Sequence, residues 1–550
     1  MAQDYDYIIV GAGSAGCVLA NRLTEDPAVR VLMLEAGGQD KQFFYRMALG
    51  FHSWRYPETG WGYLTEPEPH LNGRELPVPR GKVLGGSSTV NGMLYSRGHP
   101  HDYDLWRQMG CEGWGFDEVL PYFKRSETNW RGESAFHGGS GPLEVSRIDT
   151  RKFLHEPYMQ AAASLGWPLT DDHHGAHPEG FGGGDTTTTS RGRRASASRA
   201  YLRPAMRRPN LTVLTGALAT RIVIEQGRAV GMEFIHDGAP RTERVAREVI
   251  LAGGVYNSPQ LLMLSGIGPA EHLQEMGIAP LVHLPGVGRN LSEHAAYWIE
   301  YATKEPVSLL SEMRLDKLAV ALGQWALFGS GLLATQCNSC HAEIRSTEGL
   351  EQPDLQIYFN PVRADAKPWV PGIGTRQEHL INAVVCLLQP ESRGWMTLRS
   401  ADPKDKPRIQ FNLMERQRDV DTLVRSVKLV RDVYNAQPMA DLIDREVRPG
   451  PAVQSDAEIE AFLRDSLGTS HHSVGTCTMG IGSQAVVDPQ LRVHGIAGLR
   501  VCDASIMPTV PGGNTNAPAI MVGEKAADLI RGRALPRAEL EGFSWQPAAA

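Results

Sequence analysis

A chain of 550 residues is longer than one ordinary domain, and its formal net charge of -7 lacks the basic excess that a nucleic-acid-binding surface needs. With 42% hydrophobic and 21% charged residues, the composition is that of a water-soluble globular protein. No window approaches 18 uninterrupted apolar residues, the N-terminus lacks the basic and apolar regions of a secretory signal, and seven scattered cysteines fit reduced thiols in the cytoplasm. Peripheral association with an inner membrane stays open on these grounds.

In chain order, Tyr5 to Val10 is rich in β-branched and aromatic residues and predicts a strand. Gly11-Ala12-Gly13-Ser14-Ala15-Gly16 follows, then a helical stretch from Cys17 to Leu23, then a second strand, Val31 to Leu34, ending on Glu35. Gly11 permits a tight turn, Gly13 lets a pyrophosphate approach the backbone, and Gly16 lets the helix pack closely on the sheet. The helix N-terminus offers unpaired N–H groups to phosphate. Glu35, about 20 residues further on, is placed to accept from a ribose hydroxyl. This pattern predicts a bound dinucleotide without choosing between FAD and NAD.

Gly85, Gly86, Ser87 and Ser88 predict a loop whose N–H and hydroxyl groups line a polar cofactor edge, and Asn91 adds an amide that donates and accepts. Arg191, Arg193, Arg194, Arg199 and Arg203 read as a solvated basic loop. Residues 310–334 hold Leu, Ala, Phe and Trp with few charges, which suits an apolar access route and an uncharged aliphatic or aromatic substrate; core packing explains the same residues. Cys337-Asn338-Ser339-Cys340-His341 matches a haem-attachment string, but without an export signal it reads as part of an extended segment, Leu332 to Ile344, with two free thiols. Leu355 to Phe359 and Ile381 to Leu388 read as strands. Leu499-Arg500-Val501 reads as a strand delivering Asp503, for which a helix cap is the plainer role. Asn516 to Leu529 reads as a helix, and the chain after Arg531 as loosely ordered. No metal site is expected.

Two long segments, Arg80 to Met93 and Ala252 to Gly268, resemble the two signatures of the glucose–methanol–choline oxidoreductases. The resemblance continues at Pro285 to Leu291, at Ser392-Arg393-Gly394 and through the last ~80 residues, and it leans toward the bacterial choline-dehydrogenase-like and alkanol-dehydrogenase-like members. It implies an α/β, two-domain fold: a Rossmann-like FAD-binding domain assembled from residues 1–157, 205–295 and 478–540, and an antiparallel-sheet substrate domain from 158–204 and 296–477. It implies FAD, held by Gly11, Gly13, Ser14, Ala15, Gly16, Glu35 and Ala36, by Val83, Gly86, Ser87, Asn91, Gly92, Met93 and Leu94, by Ala219, and by Asp503, Ala504 and Asn516. Some relatives bind FAD covalently through a His at the position of Val90, so a dissociable flavin is expected here.

The resemblance also places the catalytic histidine at His472, with His471 a neighbour, and the second active-site residue at Asn514. A neutral imidazole suits removal of a hydroxyl proton, and an amide can hold the developing alkoxide while a hydride goes to flavin N5. The expected activity is oxidation of an alcohol to an aldehyde or ketone, with a quinone, a dye or oxygen as electron acceptor. Some oxidases of the family carry Val two residues before the histidine; Ser470 here leans toward a dehydrogenase. Cyanohydrin lyase and light-driven decarboxylase activities occur on the same scaffold and are the alternatives.

Overall fold

The computed structural model describes residues 5–48, 59–149, 153–336, 338–363, 365–373 and 377–540. Two large sheets organise it. The first has seven strands, in the order Leu211–Thr215, Val31–Glu35, Tyr5–Val10, Ala239–Leu251, Arg228–His236 and Leu218–Glu225, with Leu499–Val501 also pairing to Ala239–Leu251. The strands around Tyr5–Val10 are parallel, and Leu499–Val501 joins them in parallel register. Such strands are buried on both faces and read as continuous apolar runs, as Ile8, Ile9, Val31, Leu32 and Met33 do.

The crossover from the first strand is the helix Ser14–Leu23. Gly11 has φ +101°, and a Cβ on it would meet the Ala252 carbonyl oxygen at 2.5 Å. A Cβ on Gly16 would stand 2.0 Å from the Gly11 carbonyl oxygen. These positions admit only glycine because the turn, the helix and the neighbouring strand touch there. The C-terminal helix Asn516–Ile530 packs along Ser14–Leu23. Glu524, buried between them, accepts from Arg22 at 2.9 and 2.8 Å, from Arg125 at 2.8 Å and from the Tyr201 hydroxyl at 2.9 Å.

The second large sheet is antiparallel throughout: Ile443–Arg448, Ala295–Thr303, Leu380–Leu387, Leu355–Asn360, Cys340–Ile344 and Gly180–Gly182, with Gly468–Thr469 pairing to Ala295–Thr303. The expected strands at 355–359 and 381–388 are both in it. The extended segment expected over 332–344 is shorter: Leu332–Ala334 is a 3-10 turn and the strand starts at Cys340; Cys337 lies outside the described residues. The expected boundary at residue 204 falls beyond Ser198–Leu202, a segment that packs on the Ser14–Leu23 helix of the first sheet, where the Asn21 amide donates to the Tyr201 carbonyl at 2.7 Å.

Three further expectations change. Arg194 is not on a solvated loop. It is buried, because its Nη1 donates to the Asn91 carbonyl and side-chain oxygens at 2.7 and 2.8 Å. Residues after Arg531 dock where they are described: the Ala538 N–H donates to the Asp117 carbonyl and Arg537 bridges to Asp117 at 3.6 Å, which fixes this stretch on the Phe116–Ser126 helix; residues 541–550 lie outside the described range. Among the described residues lining the main cavity there is none from 310–334. The helix Leu315–Phe328 instead turns Leu327 (78% exposed) and Phe328 (76% exposed) outward.

Candidate active site

A cavity of about 580 Å³ runs from the carboxyl ends of the first sheet's parallel strands to the face of the second sheet. That is where open α/β sheets bind ligands, and where two packed units leave a cleft.

The nucleotide end is built mostly from backbone. Gly11, Gly13, Ser14, Ala15, Glu35 and Ala36 line it. The helix Ser14–Leu23 begins after Gly13 with no side-chain cap, leaving its first-turn N–H groups open toward an anion. A Cβ on Gly13 would find only one atom within 4 Å, the Ala252 oxygen at 3.8 Å, so a ligand has room against the backbone. The Glu35 carboxylate accepts from the N–H groups of Ala12 at 2.9 Å and Gly37 at 2.7 Å, while burial raises its pKa. The Ser14 hydroxyl donates to Asn516 Oδ1 at 2.8 Å, joining residues 502 positions apart in sequence.

Gly86, Ser87, Asn91, Gly92, Met93, Leu94, Ala219, Ala504 and Asp503 also line the cavity. The carboxylate of Asp503 takes three hydrogen bonds. It accepts from the Gly254 N–H at 2.9 Å, the Ser258 hydroxyl at 2.6 Å and the Ser505 N–H at 2.8 Å. The capping role and the cavity position therefore coexist in one residue. Gly16 and Val83 do not face the cavity. Gly16 is consumed by the contact with Gly11, and Val83 is buried in a small cluster with Tyr45 and Val90.

At the other end, residues 290–296 and 468–476 run antiparallel, with Thr469 opposite Ala295 and Gly468 opposite Ala296. The Ser470 N–H donates to the His294 carbonyl at 3.0 Å and the Val474 N–H to the Ser292 carbonyl at 2.9 Å. This pairing sets His294 beside His472, Nδ1 to Nδ1 at 3.0 Å, with their rings edge to face. The other nitrogen of His472, Nε2, lies 2.9 Å from the Asn514 amide nitrogen. An amide nitrogen only donates, so Nε2 accepts and the ring proton sits on Nδ1, donated to His294. Burial, reinforced by His294, His471 and Arg80, pushes the His472 pKa well below the usual histidine value. His472 is thus neutral at neutral pH, with an unprotonated Nε2 at the cavity wall.

The backbone of His472 is also tied. Its N–H donates to Glu293 at 2.6 Å, and Ser473, which bonds the same carboxylate, accepts from Arg80 at 2.8 Å. Asn514 is held by the Tyr358 hydroxyl, 3.0 Å from its Oδ1. Its loop is pinned where the Gly512 N–H donates to Asp102 at 2.7 Å. His471, adjacent in sequence, lines the cavity in a left-handed conformation (φ +64°), with Nδ1 3.0 Å from the Thr469 hydroxyl.

Sequence reasoning missed His294, Arg194 and Tyr358. His294 stands 178 residues from its partner, and only the strand pairing joins them. Arg194 hid within a basic cluster, and Tyr358 within an apolar strand.

Models of the GMC oxidoreductase family match residues 5–296 and 390–523. The chain belongs to this family. It is 45% identical over 538 residues to an oxygen-dependent choline dehydrogenase of Sinorhizobium fredii, covering 96% of each chain. Among solved structures, pyridoxine 4-oxidase from Mesorbium loti superposes with a TM-score of 0.86 at 30% identity, covering 97% of this chain and all of that one. A variant of Aspergillus oryzae RIB40 formate oxidase superposes with a TM-score of 0.89 at 27% identity, over 96% and 98%. The GMC chain is therefore an oxidoreductase of the alcohol-oxidising type, and its cofactor is FAD. Among the described residues no helix is long and apolar enough to cross a membrane, and no cluster of His, Cys, Asp or Glu is arranged to hold a metal.

Proposed function

We propose that this protein oxidises the CH–OH group of a small alcohol to an aldehyde or ketone, with His472 as the proton acceptor and Asn514 as the oxygen clamp. The observation that carries the reading is the His472 environment: neutral by burial, Nδ1 committed to His294, Nε2 unprotonated and beside the Asn514 amide. An alcohol entering this corner gives its hydroxyl proton to Nε2, and the Asn514 N–H donates to the oxygen as negative charge develops. FAD, when bound, supplies the two-electron acceptor that takes the hydride from the carbinol carbon, so the alcohol loses one proton and one hydride. Gly11, Gly13, Ser14, Ala15, Glu35, Ser87 and Asn91 would hold it. The open backbone at Gly13 and the uncapped helix N-terminus fit its pyrophosphate. Val90, a buried wall residue without a nucleophile, supports a dissociable flavin.

The two sheets support a division into an FAD-binding domain and a substrate domain, with the Ser198–Leu202 segment on the FAD side. Ser470 supports a dehydrogenase using a quinone or dye over an oxidase. Its hydroxyl, 2.8 Å from the Cys386 sulfur, adds polarity beside His472. The test is anaerobic addition of a panel of primary and secondary alcohols to the holoenzyme. Bleaching of the flavin by at least one, with stoichiometric carbonyl product, is expected. No bleaching by any member, with cyanohydrin cleavage or light-dependent decarboxylation instead, would overturn it.

A further inference from the structure

We infer that the alcohol accepted by this site is uncharged and apolar beyond its carbinol carbon, and that a quaternary ammonium alcohol is a poor substrate; this rests on the alcohol-oxidation reading above and sharpens it. The wall facing His472 and Asn514 carries Leu94, Ala296, Trp298, Tyr358 and Val384. Ala296, Tyr358 and Cys386 form one buried apolar cluster, with Leu94 and Val384 packed on it. Three antiparallel strands deliver this surface: Val384 lies opposite both Trp298 and Tyr358 in the sheet register.

A buried ammonium needs an open aromatic face and a nearby carboxylate to replace its hydration. Among the described lining residues the substrate end supplies no carboxylate, and its partly exposed ring, Trp298, is taken on one face. The ring of Trp298 already holds a cation, the Arg448 guanidinium, 4.2 Å from its centroid. That guanidinium lies opposite Glu300 in the sheet register, so the carboxylate there already faces a cation. The ring of Tyr358 packs against His341, 5.2 Å between centroids, and belongs to the buried apolar cluster. Among the described residues lining the cavity the carboxylates are Glu35 and Asp503. Both accept from backbone N–H groups at the nucleotide end. Nearby carboxylates outside the lining are also committed: Glu293 to the His472 N–H, Glu343 to the Gln356 amide at 3.0 Å, and Glu300 to Arg363 at 3.8 Å. A cation would be desolvated against aliphatic side chains without a counter-charge, whereas a neutral chain of the same shape gains from the same contacts.

The probes are choline and 3,3-dimethylbutan-1-ol, its neutral isostere with carbon in place of nitrogen. Anaerobic flavin reduction of the holoenzyme should favour the neutral alcohol by about 100-fold or more in second-order rate constant. Ala296→Glu, which places a carboxylate in the wall, should narrow that ratio about tenfold or more, and calorimetric titration with tetramethylammonium ion should detect binding to the variant but not to the parent. Choline equal to or better than its isostere in the parent, with tetramethylammonium bound there, would overturn the inference while leaving alcohol oxidation intact. Bleaching by neither alcohol nor by other uncharged alcohols would overturn the underlying reading and the inference with it.

Discussion

The two ends of the cavity are built in opposite ways. At the nucleotide end the ligand-facing atoms are backbone N–H groups, glycine surfaces and the carboxylates of Glu35 and Asp503, with one continuous local unit supplied by the stretch from Gly11 to Ala36. At the substrate end they are side chains brought from strands and loops far apart in sequence: Tyr358 and Asn514 are 156 residues apart, and His472 is oriented from behind by His294, 178 residues away. The first arrangement depends on close backbone approach and tolerates no added atoms. The second depends on which proton each side chain carries and tolerates reshaping. Damage at one end should therefore spare the property of the other.

The largest effect is expected at the substrate end. His472→Ala should slow flavin reduction by alcohol by about 10²–10⁴-fold while FAD stays bound, as rapid-mixing absorbance and cofactor-retention assays would record. Asn514→Ala should cost about 10²–10³-fold in the same assay, again with flavin retained. Loss of the flavin in either variant would erase the contrast between the ends.

At the nucleotide end, Gly16→Ala drives a methyl to 2.0 Å from the Gly11 carbonyl oxygen. It should destabilise the fold by about 1–3 kcal/mol and lower FAD occupancy, with the residual holoenzyme reducing at the parental rate; thermal melting and flavin content per chain test this. Arg194→Met probes the seam between the ends. It removes the Nη1 donor to the Asn91 carbonyl and side-chain oxygens, costing about 1 kcal/mol at the carbonyl, while Oδ1 keeps the Met93 N–H. A lower melting temperature and weaker FAD retention are expected, because the 88–91 loop loses its anchor.

This asymmetry also decides what the sequence made legible. A strand, three glycines, a helix and a terminal acid are local features, and all appear in their expected places. The strand at Leu499–Val501 and the helix at Asn516–Ile530 were equally local. Gly16 and Val83 sit inside the cofactor motifs but are not among the cavity-lining residues, and the packing role expected of Gly16 is the one its contact with Gly11 shows; a motif records which residues recur together, not which way each faces. Arg194 was misread because a charge cluster gives no sign of which member is buried. The apolar run at 310–334 was ambiguous between access route, core and surface, and composition alone cannot rank these. His294, Tyr358 and the Arg448–Trp298 stack depend on the register of the second sheet, which sequence spacing does not encode.

The central claim is that a buried, neutral His472 takes the hydroxyl proton. Burial depresses its pKa below the unfolded value near ~6.5. The neutral base is therefore present above the folded pKa and lost as pH falls through it; the stability linked to this group is full above ~6.5 and declines as pH falls below it. The most direct measurement is the pH dependence of the anaerobic flavin-reduction rate constant in the parent and in His472→Gln. The account predicts an acid limb below the ordinary histidine range in the parent and no such limb in the variant, whose rate is uniformly lower. An acid limb of the same position and amplitude in both proteins would contradict it.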